Sequence, residues 1–157
     1  MGRNHIYIAS QYSNREMIKK TIVPVVEQLG MVVTSRWLTT PDSGVPDSEK
    51  VVGNKKWMDH CNKMMPIDLE DIDRAHSVLF VPDDYNSSGG MWVELGYAIA
   101  KNKVIIWYGQ QVANVFAVKS HFFCTSGNLL STLSRVSGRA VGLGKLANMS
   151  QLEAKNL

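Results

Sequence analysis

The sequence predicts a single α/β domain in which a mostly parallel sheet carries helices on both faces. Two observations predict it. Short apolar runs rich in β-branched residues alternate along the chain with longer segments of helical periodicity. The length of 157 residues is that of one domain with a sizeable core. We expect this domain to span residues 1–136, and residues 137–157 to form a tail that is either loosely ordered or lies at a subunit interface.

The first predicted strand is His5–Ser10, a short β-branched run that ends in a polar loop. A helix with apolar residues at 3.6-residue spacing follows and stops at Gly30. Pro24 lies inside that helix, where it is expected to cause a kink. The second predicted strand is Met31–Trp37.

A long loop rich in Pro, Gly, Ser and Asp then covers Leu38–Gly53. Helical periodicity returns at Asn54, and Pro66 is expected to start a separate helix. The remaining predicted elements are a strand at Ser77–Pro82, a helix from Met91 to Asn102, a strand at Lys103–Gly109, a short strand at His121–Cys124 and a helix from Asn128 to Val136.

Composition excludes several classes of function. The net charge of +3 comes from scattered basic residues, so we predict no nucleic-acid partner. No apolar run approaches the roughly 20 residues that span a bilayer, and two cysteines give no disulfide framework, so we expect a cytoplasmic protein without membrane attachment. The histidines and cysteines lack metal-ligand spacing, and there is no GxGxxG or P-loop, so we predict neither a metal nor another cofactor.

A ligand site is expected where polar loops follow Ser10, Arg36 and Pro82, because ligands of such folds bind beyond the carboxyl ends of the strands. Glu94 is the first candidate residue there. It follows Gly89 and Gly90, whose backbone can turn tightly into a helix and offer amides to an anion. In the first helical turn the helix dipole would keep this acid ionised, as a nucleophile requires. An acid that merely complements the dipole is the alternative.

Asp68 is the earliest acid in "DLEDIDRA" and would lie nearest the loop end of the helix predicted to start at Pro66, although acids there are also ordinary helix-start signals. Tyr7 lies in the middle of the first strand and is either a packed core residue or a phenol that reaches a carboxylate. Trp37 borders the long loop and is a candidate for stacking on a ligand, as is Trp57, whereas the other two tryptophans are expected in the core.

The segments "HIYIAS", "VVTSRW", "DLEDIDRA", "SSGGMWVELGYAIAKNKVIIWYG" and "NVF" occur in an order that resembles the nucleoside 2-deoxyribosyltransferase family. The resemblance implies a flavodoxin-like fold and cleavage of the N-glycosidic bond of 2′-deoxynucleosides. It also implies that Glu94 attacks the anomeric carbon, that Asp68 positions or protonates the base, and that Tyr7 contacts the nucleophile. The deoxyribosyl group would then pass to another nucleobase.

One departure from the family pattern leaves the substrate open. The family's transferases carry an Asp six residues before the glutamate, where this sequence has Ser88. A serine there is similar to the related deoxynucleoside 5′-monophosphate N-glycosidases, so Ser88, Gly89 and Gly90 could hold a phosphate, assisted by Ser10 and Arg15. Against this, the first loop lacks the glycine-rich form of those hydrolases.

The sequence thus leaves three functions open: a transferase, a hydrolase of nucleoside 5′-monophosphates that releases free base, and a nucleotide-binding module without catalysis. The expected partners are a nucleoside or nucleotide and a free nucleobase. Family members are oligomers that complete each site with residues of a neighbouring subunit. The resemblance therefore implies a homo-oligomer, with Asn114 and His121 as candidates to face the neighbour's pocket.

Overall fold

The computed structural model describes residues 4–82, 89–110 and 117–138 of the chain. Its centre is a five-stranded sheet with the order β2-β1-β3-β4-β5, in which every neighbouring pair is parallel. The strands are β1 His5–Ser10, β2 Val32–Val33, β3 Ser77–Val81, β4 Val104–Tyr108 and β5 Phe122–Cys124. The predicted α/β fold is confirmed. Of the predicted tail, all but Ser137 and Gly138 lies outside the described residues.

Helices cover both faces of this sheet. Helix α2 packs against α5, and α3 packs against α4. The chain moves from β1 to β2 in one direction along the sheet, and from β2 to β3 and on to β4 in the other direction. Right-handed crossovers that run in opposite directions lie on opposite faces of a sheet, so these two helix pairs form its two outer layers. Among the described helices, none combines the length and apolar character needed to cross a bilayer. The helices are α1 Arg15–Met17, α2 Val23–Gln28, α3 Lys55–Arg74, α4 Gly90–Ala100 and α5 Leu129–Ser137.

The core lies around the central strands β1 and β3. All five residues of β3 are buried, as expected for a parallel strand that is covered on both faces. Phe80 packs its ring 4.9 Å from both Trp92 and Trp107. These two tryptophans therefore belong to the core, as predicted from the sequence.

The order of the strands reverses between β1 and β3. From β1 the chain proceeds to β2 on one side, whereas β3 is followed by β4 and β5 on the other. Ser10 Oγ at the end of β1 donates a hydrogen bond to the Val81 carbonyl at the end of β3, at 2.8 Å. A crevice opens beyond the carboxyl ends of strands at such a point, which makes this the expected place for a ligand.

The second strand is much shorter than predicted, because a serine side chain takes over its pairing. Only Val32–Val33 is a strand, and a 3₁₀ turn follows at Arg36–Leu38. Ser35 Oγ accepts a hydrogen bond from the Ile8 amide at 2.6 Å and donates to the Ile8 carbonyl at 3.2 Å. The backbone of β1 is thereby satisfied without further strand residues.

The prediction that Pro66 starts a separate helix is wrong, because α3 runs unbroken through it for 20 residues. Proline removes one helical hydrogen bond, the one that would reach Asn62 four residues earlier. Both residues are exposed, so water can satisfy that carbonyl. In consequence Asp68 lies inside a long helix and not at the start of a short one.

The disturbance expected at Pro24 takes the form of a π-helical turn. Ile18–Ile22 between α1 and α2 is π-helical, and the Val23 amide bonds to the Ile18 carbonyl five residues back. Since the proline ring crowds the carbonyl four residues before it, a wider turn relieves that contact.

Candidate active site

A pocket of about 160 Å³ lies beyond the carboxyl ends of β1 and β3, at the point where the strand order reverses. It brings together four side chains that were singled out in the sequence, namely Ser10, Trp37, Asp68 and Glu94. The other lining residues are Tyr12, Thr40, Pro41, His60 and Met64.

Glu94 enters the pocket from the second turn of α4, not from the first turn as predicted. Gly89 caps the helix in the left-handed conformation (φ 84°), and the helix begins at Gly90. The first turn contains no acid. Because the field of the helix dipole falls off within the first turn, it contributes little to the ionisation of Glu94.

Burial dominates the electrostatics of Glu94. It raises the pKa of the carboxyl from 4.5 to about 8, with a further rise from the negative charge of Asp68. Oε2 is buried and has no hydrogen-bond partner among the described residues. Burial therefore acts against the ionisation that we expected the helix to favour at Glu94, and it raises the pKa of this carboxyl.

Tyr7 lies next to Glu94 in the middle of β1 and is completely buried. Burial, together with the charges of Glu94 and Asp68, holds the pKa of its hydroxyl far above the ordinary value. The hydroxyl therefore keeps its proton and can donate. It lowers the pKa of Glu94, although by less than burial raises it. Its oxygen makes no hydrogen bond of normal geometry within the described residues, so a donor is available for a newly formed carboxylate.

Asp68 approaches the same pocket from the neighbouring helix α3. Burial and the negative charge of Asp71 raise the pKa of Asp68 to about 6, and the positive charge of Arg36 partly opposes this rise. Its Oδ1 is buried, and no described residue forms a hydrogen bond with it.

The two carboxyls titrate as a coupled pair. Between about pH 6 and about pH 8 the pair Asp68 and Glu94 carries close to one proton. Such a pair can present one ionised oxygen as a nucleophile and one proton as an acid at the same time. Displacement of a poor leaving group from carbon requires both of these groups, an ionised nucleophile and an acid that protonates the leaving group.

Trp37 forms one wall of the pocket and is fixed there. Its indole Nε1 donates to the Ile8 carbonyl at 2.9 Å, which orients the ring from the turn after β2. Opposite, His60, Met64 and Asp68 line the pocket from α3 at a spacing of four residues, which places them on one helix face. His60 and Met64 were not singled out from the sequence, because the helix was expected to break at Pro66. On an unbroken helix, their spacing of four residues from each other and from Asp68 would have placed them on the same face as Asp68.

Two aromatic residues are placed differently from what the sequence suggested. Trp57 stacks on His60 with 5.7 Å between ring centroids and is not a lining residue. Tyr12, which was not singled out, does line the pocket.

Arg15, the predicted cation for a phosphate, is engaged elsewhere. Its Nε donates to the Leu38 carbonyl at 2.6 Å, and its guanidinium lies 5.2 Å from the ring centroid of Tyr12 and bonds to that hydroxyl. It supports the pocket from outside and does not line it.

Five predicted positions remain. Gly89 and Gly90 form the turn into α4 above Glu94, whereas Ser88 and Asn114 lie outside the described residues. His121 precedes β5, at the edge of the sheet opposite the pocket, and its Nδ1 accepts from the Ile105 amide at 3.0 Å.

In residues 4–82, 89–110 and 117–138, no group of three or more His, Cys, Asp or Glu side chains could hold a metal ion.

The raised pKa of Glu94 predicts a pH-dependent gain in stability when this acid is replaced by glutamine. Below the unfolded-state pKa of 4.5 the acid is protonated in both states and contributes nothing. As the pH rises from 4.5 to about 8, the folded protein must keep a proton that the unfolded chain releases, so its stability falls. Glu94→Gln removes this penalty and is expected to raise the free energy of unfolding by about 1–3 kcal/mol at pH 7.5, with no gain at pH 4.5.

Urea unfolding followed at both pH values measures this difference. Glu16→Gln is the matched control, because Glu16 is fully exposed and its pKa is lowered by Lys19, so its replacement should give no gain at either pH. An equal gain for Glu94→Gln at both pH values would mean that packing and not ionisation is responsible.

Comparison with known proteins agrees with this architecture. The family model described as nucleoside 2-deoxyribosyltransferase matches residues 6–149. A solved 2-deoxyribosyltransferase of Bacillus psychrosaccharolyticus superposes with a TM-score of 0.57 at 22% identity, covering 82% of this chain and 95% of that one. A CMP N-glycosidase of Clostridium botulinum gives a TM-score of 0.48 at 18% identity, covering 84% and 97%. No curated protein matches the chain in sequence.

Proposed function

The chain belongs to the nucleoside 2-deoxyribosyltransferase family, and from this premise we propose that it cleaves the N-glycosidic bond of 2′-deoxynucleosides. The cleavage forms a covalent ester between Glu94 and the deoxyribosyl group, which is then transferred to another nucleobase. One observation carries the proposal. Glu94 presents a buried oxygen without a hydrogen-bond partner among the described residues to a pocket that also holds Asp68, a second carboxyl with a raised pKa.

Before the first step the shared proton of the pair passes from Glu94, the carboxyl with the higher pKa, to Asp68. A carboxylate oxygen of Glu94 then attacks the anomeric carbon, and the bond from that carbon to the base nitrogen breaks. The base leaves with the bonding electrons and takes the proton of Asp68. Tyr7 donates toward the Glu94 carboxylate before the attack, which stabilises the ionised form that the buried site otherwise disfavours.

In the second step a nitrogen of the incoming base attacks the same carbon, and the ester bond to Glu94 breaks. The incoming base passes its proton to Asp68, so both carboxyls return to their starting state. Two inversions at the anomeric carbon give net retention. If water attacks instead, the products are free base and deoxyribose.

The composition of the pocket supports an uncharged nucleoside over a nucleotide. Among the described lining residues the acids are Asp68 and Glu94, and neither lysine nor arginine is present. Along the lining formed by the described residues, a phosphate dianion would meet this negative charge with no lysine or arginine beside it. The flat, apolar surfaces of Trp37, Pro41 and Met64 suit a nucleobase. The runner-up, a hydrolase of nucleoside 5′-monophosphates, is favoured by the amides of the Gly89–Gly90 turn.

Product analysis separates these functions. The protein is incubated with a deoxynucleoside, or with its 5′-monophosphate, in the presence and absence of a second free base, and the products are followed by chromatography. A new deoxynucleoside that appears only with the added base is the expected result. Free base plus deoxyribose 5-phosphate would establish the hydrolase, and no product from either substrate would leave a binding module.

A further inference from the structure

Asp71 is a fully buried acid that the proposed chemistry does not use. It lies on α3, one turn after Asp68, and its side chain is 0% exposed. One carboxylate oxygen accepts from the Arg36 backbone amide at 2.8 Å, and the other accepts from Arg36 Nε at 2.8 Å. A buried charge is held this way only where it is fully paired, since an unpaired one would be very costly.

This ion pair fastens the turn after β2 to α3. The Thr34 hydroxyl donates to the Asp71 carbonyl at 2.9 Å, so the segment is held at two successive points. Trp37 follows Arg36 directly and forms the pocket wall. The position of that wall therefore depends on the contact between Asp71 and Arg36.

The same pair lies beside the proposed acid. Residues three apart on a helix share a face, so Asp71 presents its charge toward Asp68. Burial of Asp68 and the Asp71 charge raise the pKa of Asp68, and the Arg36 charge lowers it. Among the described residues, the other titratable groups at this site are Tyr7 from β1, Glu94 from α4, and Tyr12 and His60, which line the same pocket as Asp68.

We propose that the buried Asp71–Arg36 pair is a positioning element of this site, which fixes Trp37 as the wall for the nucleobase and places a paired carboxylate beside Asp68. The proposal rests on the proposed function for its role in turnover. The pair acts through Trp37 and Asp68 and touches no reacting atom.

The chain supplies a matched control. Glu70 is the neighbour of Asp71 and binds the same guanidinium through Arg36 Nη2 at 2.5 Å, yet its side chain is 59% exposed and makes no bond to the backbone of the turn. Glu70→Gln therefore removes one acid from Arg36 without releasing the turn, whereas Asp71→Asn removes the buried acid.

The test measures the titration of the Asp68 side chain by carbon NMR of labelled aspartate, with the signal assigned through Asp68→Asn. In Asp71→Asn the titration midpoint is expected to fall by about 0.5–1 pH unit, and in Glu70→Gln it should stay unchanged. Calorimetry with adenine and cytosine as probes should give at least threefold weaker binding in Asp71→Asn and unchanged binding in Glu70→Gln. If Asp71→Asn changes neither the titration midpoint of Asp68 nor the affinities for adenine and cytosine, the proposal is overturned.

Arg36→Lys keeps the positive charge but loses the planar donor to Asp71, and it serves if Asp71→Asn does not fold. It should weaken base binding at least threefold while the Asp68 midpoint stays within about 0.5 pH unit of the wild-type value, because both charges of the pair are kept. Unchanged binding would overturn the positioning role. Neither readout depends on turnover. A wild-type protein that releases no base would therefore count against the proposed function alone, since base affinity and the Asp68 titration still report on the pair.

Discussion

Replacement of Glu94 by glutamine is expected to lower the rate of base release by about 10³-fold or more, because an amide cannot form the glycosyl ester. The side chain keeps its size, and its surroundings favour a neutral group, so the fold should persist with unchanged or greater stability. Loss of activity in a protein that is no less stable separates a chemical role of this residue from a structural one.

Chromatography of released base gives the rate, and mass spectrometry of the acid-quenched wild-type reaction tests for a deoxyribosyl adduct at Glu94. Glu16→Gln, an exposed substitution outside the pocket lining, should retain full activity. A rate for Glu94→Gln within tenfold of the wild type, or an adduct on another residue, would remove Glu94 from the role of nucleophile.

Asp68→Asn is expected to lower the rate by about 10²–10⁴-fold, the usual range for a lost general acid. Since asparagine has no proton to give, the loss should be greatest for bases that leave poorly and smallest for those that leave well. A uniform loss across bases would indicate that Asp68 binds the base without protonating it.

The pH profile gives a second measurement of the same role. In the wild type, activity should fall below about pH 6, where both carboxyls are protonated and no nucleophile exists, and above about pH 8, where both are ionised and no acid remains. In Asp68→Asn the alkaline fall should disappear. Its activity should rise with the ionisation of Glu94, whose pKa should lie below about 8 because the Asp68 charge no longer raises it. Asp59→Asn, an exposed change on the same helix, should leave the wild-type profile unaltered.

Strands and helices could be predicted well where their own sequence determines how deeply they are buried. The apolar run of β1 and the turn-then-apolar pattern of α4 correspond closely to the structure, since a buried parallel strand and a helix that packs on it need that content. The second strand was predicted too long because Thr34 and Trp37, which follow Val32–Val33, favour strands by type. The actual pairing of Ser35 with Ile8 through a hydroxyl depends on a contact 27 residues apart in the chain.

The site was only partly predictable for a similar reason. The type and spacing of Glu94, Asp68 and Tyr7 were visible in the sequence, and the resemblance to a family gave them roles. Their protonation was not visible, because the pKa of Glu94 depends on burial and on Asp68 from another helix. The position of Glu94 in the sequence suggested an acid kept ionised by a helix dipole, whereas burial in the fold raises the pKa of this carboxyl.

The brevity of β2 has a consequence for how the molecule meets other chains. It is the outermost strand on its side of the sheet, and it is only Val32–Val33. A long, flat outer strand would offer a row of free amides and carbonyls on which another polypeptide could assemble. Here the backbone turns away after two residues into the 3₁₀ turn that the Asp71–Arg36 pair fastens to α3. The segment that shapes the pocket thus also protects this border of the sheet from aggregation by strand addition.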